Sequence, residues 1–213
     1  MAGTPDKVQY NLKNVHYAPM TATGATPTWG TPVKVPGAVN LTLDQQGELS
    51  KFYADGIVYW QSSSNNGYEG ELEMALYPDQ MLMDIWGYTK TDRDKVLIEN
   101  TMAQPKPFAL LFEIDGDANG RRYCMYNCTA TRPGISSKTN ESTKTPVTQK
   151  CTISAVPLET GDVLARTSDE TTSEAKLNWF KTVYQKPGAD AASLSQTEPA
   201  AAESDAGEEA ASA

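Results

Sequence analysis

Glu69-Gly70-Glu71-Leu72-Glu73-Met74-Ala75-Leu76 sets Gly70, Leu72, Met74 and Leu76 on one parity and Glu69, Glu71, Glu73 and Ala75 on the other. A β-strand sends successive side chains to opposite faces, so this period reads as a strand with one face on a core and one in water. The same alternation recurs along the chain. Val8, Tyr10 and Leu12 alternate with polar residues, as do Val39, Leu41 and Leu43. Phe108, Leu110, Phe112 and Ile114 share a face, and so do Cys151, Ile153 and Ala155. Each run predicts a half-buried antiparallel strand. Many short strands separated by turn signals predict a mainly β fold, an antiparallel barrel or sandwich.

Two short flanking helices interrupt the pattern. Pro78 suits a first helical turn and Asp79 complements the positive end of the helix dipole. Met81, Leu82, Ile85 and Trp86 then recur at helical spacing, and Gly87 supplies a stop. A second helix is predicted over about 171–184, with Leu177, Phe180 and Tyr184 on one stripe and Pro187 beyond it. Two polar segments, 18–37 and 132–146, are long for structureless loops in a compact domain, and such loops are usually functional or disordered. The domain is therefore drawn as 1–186. Residues 187–213 carry Asp190, Glu198, Glu203, Asp205, Glu208 and Glu209 and no Lys or Arg. With Leu194 as their one large apolar residue they are expected to form a disordered acidic tail.

The chain has 213 residues, 39% of them apolar, so a sizeable core is possible. A net charge of −9 lacks the basic footprint of a nucleic-acid binder. No run approaches the roughly 20 apolar residues of a membrane-spanning helix, and residues 1–10 lack a signal-peptide core. The expectation is a soluble protein made and kept in the cytoplasm. Three cysteines, an odd number, argue against a disulfide framework there.

One histidine, His16, excludes multi-histidine metal sites, and any Ser–His or Cys–His mechanism would have to run through it. No nucleophile-elbow, zinc-protease, phosphate-loop or dinucleotide motif is present. Cys124, Cys128, Cys151 and His16 nominally make a Cys₃His zinc set. On a strand, however, residues four apart such as Cys124 and Cys128 share a face but lie about 13 Å from each other, too far to share one ion. Asp115-Gly116-Asp117-Ala118-Asn119-Gly120 matches half of a calcium loop, but Tyr126 stands where the bidentate glutamate belongs. A polar hairpin turn is preferred there. Asn40, Asn127 and Asn140 head glycosylation sequons that mean nothing without secretion. Neither a cofactor nor a catalytic residue is expected.

Glu69, Glu71 and Glu73 form the most informative stripe. Carboxylates about 7 Å apart along one strand face repel one another and call for water or counterions. The plain reading is a solvent-facing strand. The sharper one is the wall of a wet channel that carries an anion without holding it, because phosphates are held by Lys and Arg rather than by carboxylates.

Through Asn14 to Pro19, Gly67 to Leu72, Phe108 to Glu113, Trp179-Phe180 and the stretches between them, the chain resembles the major tail tube proteins of long non-contractile-tailed bacteriophages. The residues that carry the likeness come in order: Asn14 to Pro19, Gly30 to Val33, Pro36 to Ala38 and Phe52 to Asp55 come first. Gly67 to Leu72, Asp84 to Gly87 and Phe108 to Glu113 with Asp115 to Asp117 follow. Tyr126 to Cys128, Arg132-Pro133, Trp179-Phe180 and Val183-Tyr184 complete the series. The resemblance implies a tail-tube β-barrel with flanking helices and a structural virion protein without enzyme activity. Such proteins form hexameric rings that stack into a tube. The tube would enclose a tape-measure protein, meet terminator and distal tail proteins at its ends, and conduct DNA without binding it specifically. The expected location is the virion tail, with assembly in the host bacterial cytoplasm.

Within this reading Glu69, Glu71 and Glu73 are expected to line the lumen. The loops around Trp29, Lys34, Arg132, Lys138 and Lys144 are expected to make inter-ring or inter-subunit contacts. Besides an enzyme with a carboxylate pair that no motif announces, two other readings stay open. One is a carbohydrate- or receptor-binding β module using Trp29 or Trp60 as a stacking platform. The other is the tube of a phage-tail-like secretion system.

Overall fold

A computed structural model of the chain describes residues 9–24, 26–116, 120–139 and 146–187. The order of elements is β1 (Tyr10–Ala22), β2 (Thr28–Trp29), β3 (Val33–Lys34), β4 (Ala38–Gln46), β5 (Leu49–Ala54), β6 (Ile57–Ser63) and β7 (Gly67–Met74). Then come α1 (Asp79–Trp86), β8 (Thr89–Lys90), β9 (Leu97–Ile98), β10 (Phe108–Asp115), β11 (Arg121–Ala130), β12 (Gln149–Ala155), β13 (Leu164–Arg166) and α2 (Ser173–Asn178). The fold is mainly β and antiparallel, as the alternation predicts. One large sheet runs β2-β1-β10-β11-β12-β7-β4, with β3 added to β1 and β13 to β11. β1 and β4 approach each other although they stand near opposite ends of that order, so the sheet curls towards a barrel.

β10 is an interior strand, between β1 and β11, and Phe108 to Glu113 are all buried. Its two parities feed two cores. Phe108, Leu110 and Phe112 face the larger one with Leu72, Met74, Ile153, Met125 and the helix residues Met81, Ile85 and Trp86. Ala109 and Leu111 face a smaller one with Ala18, Cys124, Trp179 and Val183. Period-two alternation captures the first face only, because the second is made of Ala and Leu as well. Glu113 is the buried exception, and Arg122 Nε at 3.3 Å, Lys13 Nζ at 3.5 Å and Asn14 Nδ2 at 3.1 Å surround its carboxylate. A buried charge is tolerated when it is paired and hydrogen-bonded in this way.

α1 forms where its spacing predicts. Pro78 sits at the N-cap with an extended backbone rather than inside the first turn, and Gly87 ends the helix in the left-handed region at φ 69°. Trp86 Nε1 donates to the Ala130 carbonyl at 3.1 Å while its ring meets Tyr77 edge-on at 5.6 Å. Tyr17 Oη donates to Asp84 at 2.7 Å and so ties α1 to β1.

Four expectations are corrected. α2 ends at Asn178, and the chain then runs through turns. Its predicted stripe fails because Leu177 is 73% exposed, and the buried anchors are Trp179 and Val183, four residues apart. Leu76 is exposed and follows the end of β7. The segment 18–37 is largely structured: β1 continues to Ala22, and β2 and β3 fold back to pair with it. Cys124 and Cys128 face different cores, because an irregularity between Phe108 and Leu110 in the β10–β11 ladder shifts the parity. Val8 and the acidic tail from residue 188 lie outside the described residues.

Two predictions follow from this packing. A Cβ added at Gly70 would lie 1.8 Å from the Thr42 carbonyl oxygen, so β4 and β7 are close only because residue 70 lacks one. Gly70→Ala should destabilise by about 1–3 kcal/mol, the usual range for overpacking. Gly134→Ala, with nothing within 4 Å of the new carbon, should leave the melting temperature unchanged. The second concerns His16, which is buried and stacks on Phe180 at a 4.7 Å centroid distance. Burial lowers its pKa from the ordinary 6.5, against a raising contribution from the Asn14 carbonyl. The unfolded chain therefore binds its proton more readily. The stability that neutral His16 contributes is present above pH 6.5 and is lost as pH falls from there towards the lowered folded value. Thermal melts should show that acid-side loss, and His16→Phe should remove it.

Candidate assembly surfaces

β5 and β6 form a two-stranded arm that continues the β4–β7 ribbon. Asn66 N donates to Gln46 O at 2.8 Å and Ser64 N to Glu48 O at 3.0 Å, so the ladder is nearly unbroken where the arm leaves the main sheet. The turn is Asp55-Gly56, both with positive φ (53° and 77°), the pattern of a two-residue hairpin. Six residues of β5 at about 3.3 Å each carry the arm roughly 20 Å outward. Phe52 lies opposite Trp60 and Tyr53 opposite Val58, with a bulge that leaves Tyr59 extra. Phe52, Tyr53, Ile57, Tyr59 and Trp60 are each more than half exposed, and none belongs to either core. A hairpin with no third strand or helix against it is marginal in water, and contiguous exposed apolar surface marks an interaction site.

Apart from Trp60, no arm residue is legible as surface from the sequence. An apolar run reads as a buried strand, and exposure has no signature of its own. The usable signal was Asp55-Gly56 between two apolar runs, the strongest short-range hairpin pattern.

The acidic stripe lies on the polar face of β7, opposite in parity to Leu72 and Met74. Asp44, Thr42 and Asn40 of β4 flank it on one side, opposite Glu69, Glu71 and Glu73 in turn. Ser154, Thr152 and Lys150 of β12 flank it on the other. Short hydroxyls, an amide and carboxylates thus cover three adjacent strands. Lys150 relieves part of the repulsion: its Nζ lies 2.7 Å from Glu71 and 3.7 Å from Glu73, and these carboxylates raise its pKa. Thr148 Oγ1 also donates to Glu73. Glu69 is exposed at the end of the row.

The five residues expected on contact loops fall into different situations. Trp29 is half-buried in its own chain, with Nε1 donating to the Tyr126 carbonyl at 3.0 Å and its ring tilted on Tyr126. That packing removes it as an open stacking platform. Lys34 is exposed on β3, where its charge helps lower the His16 pKa. Arg132 braces the 99–103 segment, with Nε 2.8 Å from Glu99 and Nη2 donating to the Asn100 and Ala103 carbonyls. Lys138 is exposed, and Lys144 lies outside the described residues.

The nominal chemistry does not converge. Among the described residues no cluster of three His, Cys, Asp or Glu side chains could hold a metal. Cys124, Cys128 and Cys151 are free and buried, and burial pushes all three thiols up in pKa, away from the reactive thiolate. Asp115 pairs with Lys13 at 2.9 Å at the foot of the β10–β11 hairpin, while residues 117–119 lie outside the described residues. Among the described residues no helix is long and apolar enough to cross a membrane.

No protein-family model matches the chain, and no curated protein matches it in sequence. Solved structures similar to it include the sheath/tube terminator of an extracellular contractile injection system, PVC, in its extended state. It is 11% identical, with a TM-score of 0.42 over 79% of this chain and 100% of that one. Another is the tube-terminating cap of the anti-feeding prophage, 12% identical, TM-score 0.36, over 76% of this chain and 93% of that one. A third is the extended PVC sheath-tube complex, 11% identical, TM-score 0.33, over 73% and 88%. At these scores the likenesses assign neither function nor partners.

Proposed function

We propose that this chain is a structural protein that assembles with copies of itself into the tube of a phage tail or a phage-tail-like particle, without enzymatic activity. The observation that carries the reading is the β5–β6 arm. It puts Phe52, Tyr53, Tyr59 and Trp60 into solvent on a ribbon that belongs to neither core among the described residues. An arm displaying one surface to a different surface of the next copy makes a heterologous contact, and such contacts close into rings or run on as filaments. The edge of β4 away from β7, unpaired among the described residues, is a second element that a monomer would have to protect.

The tail-tube likeness of the sequence makes hexameric rings, stacked around a tape-measure protein, the specific form of the proposal. Terminator and distal tail proteins would then cap the ends, and the virion tail would be the final location. The face of Glu69, Glu71, Glu73 and Asp44 would line the lumen, where its carboxylates repel phosphate and engage its one lysine, Lys150, so that DNA would pass without being held. Trp60 keeps a glycan-binding reading in view, since it is exposed beside Phe52 and Tyr59. That reading requires a monomer with saturable glycan affinity.

Electron microscopy of the concentrated protein, with light scattering on the same sample, decides between them. Six-fold rings or tubes are expected, and in their map Glu69, Glu71 and Glu73 should face inward. A folded monomer that neither polymerises when concentrated nor grows on added tube seeds would sink the assembly reading. Phe52→Ser with Trp60→Ser should abolish rings while leaving the melting temperature of the main sheet in place, because neither side chain touches a core.

A further inference from the structure

The curled sheet does not close. On the side away from β10, β1 pairs with β3 from His16 and with β2 from Met20, so Tyr10 to Asn14 offer a free strand edge among the described residues. Among the described residues β4 pairs with β7 alone, so its other edge is free there as well. Between these two edges lies a slot of about 750 Å³. Tyr10 and Leu12 form one wall, Val39 and Leu41 the other, and Phe112 and Met125 belong to its floor. Two unpaired edges over an apolar floor fit an extended segment, which gains main-chain hydrogen bonds at the edges and burial below.

We propose that this slot receives the β5–β6 arm of a second copy of the chain. The inference rests on the self-assembly reading and adds the receptor surface to it. The chain's own arm is poorly placed to fill the slot. Val39 and Leu41 lie in the first half of β4, whereas the arm departs beyond Gln46 and continues the ribbon outward. Charge fits a second copy too. Arg166 is the one ionic residue lining the slot, it is exposed, and it has no ion pair among the described residues. Asp55 is the acid at the exposed tip of the arm. Slot and arm sit on every copy, so each subunit gives one contact and takes one, and the contact is head-to-tail.

Complementation tests this directly. Tyr10→Glu with Val39→Glu places charge at the slot mouth on two exposed positions, which spares the fold. Phe52→Ser with Trp60→Ser disables the arm. Each variant alone should sediment as a monomer with unchanged circular dichroism. Mixed in equal amounts, they should form a one-to-one dimer that grows no further, because a single intact arm meets a single intact slot. Asp55→Arg should weaken that dimer by about tenfold or more through like-charge contact. Arg166→Asp added on the slot-bearing partner should restore it. A chain lacking residues 1–8 should assemble as the full chain does.

If the slot variant forms tubes like the wild type, the slot is not the receptor, although self-assembly stands. A mixture that stays monomeric also overturns the inference. Loss of assembly on removing residues 1–8, with the arm variant still assembling, would make that segment the occupant. A wild-type chain that never assembles removes the second copy and with it both proposals.

Discussion

Everything in this molecule is hung on a strand that has no wet face. β10 buries one parity against α1 and the β7–β12 side of the sheet, and the other against Trp179 and Val183. The two layers therefore share a wall. The segment after α2 has little regular structure, yet it is held because His16 stacks on Phe180, and Trp179 donates to the Tyr123 carbonyl at 3.4 Å. The one charge in that wall, Glu113, is held by Lys13, Arg122 and Asn14, which come from the strands on either side. Together they keep the carboxylate from being buried alone, the costly case for an interior charge.

Much of the main sheet was legible from residue order. Leu72 and Met74 against Glu71 and Glu73 gave the parity of β7, and Cys151, Ile153 and Ala155 gave that of β12. α1 was readable because its spacing, its proline and its glycine agree. The failures have physical causes. The alternation rule assumes a regular ladder, and the β10–β11 irregularity moved Cys128 to the core opposite Cys124. Helical spacing placed Leu177 inside, but α2 is too short for the stripe, and the docking side chains come from the turns after it. The 18–37 segment looked loop-like because Thr, Pro and Gly dominate it, although only two-residue strands were needed to tie it down.

The surfaces were harder to read than the core. An apolar side chain in a core and one waiting for a neighbour look the same in sequence. Trp60 is legible only as one possible stacking platform, and nothing in the sequence marks Phe52 and Tyr59 beside it as exposed. The acidic face was visible as a stripe, but its relief by Lys150 came only with the β7–β12 register, which brings residues 71 and 150 together across a sequence separation of 79. The packing of Trp29 on Tyr126 within its own chain has no sequence signature either.

The arm and the sheet are one ribbon, and this has a mechanical consequence. A pull on the arm travels along β4 and β7 and reaches the rest of the body chiefly through β7 and β12, which pair at seven register positions from Tyr68 to Met74. The pull runs along those strands, so the bonds between them are loaded side by side and share the tension. None is exposed to being peeled open alone. A filament linked through such arms would resist stretching where its subunits are strongest and would yield first at the joints between them.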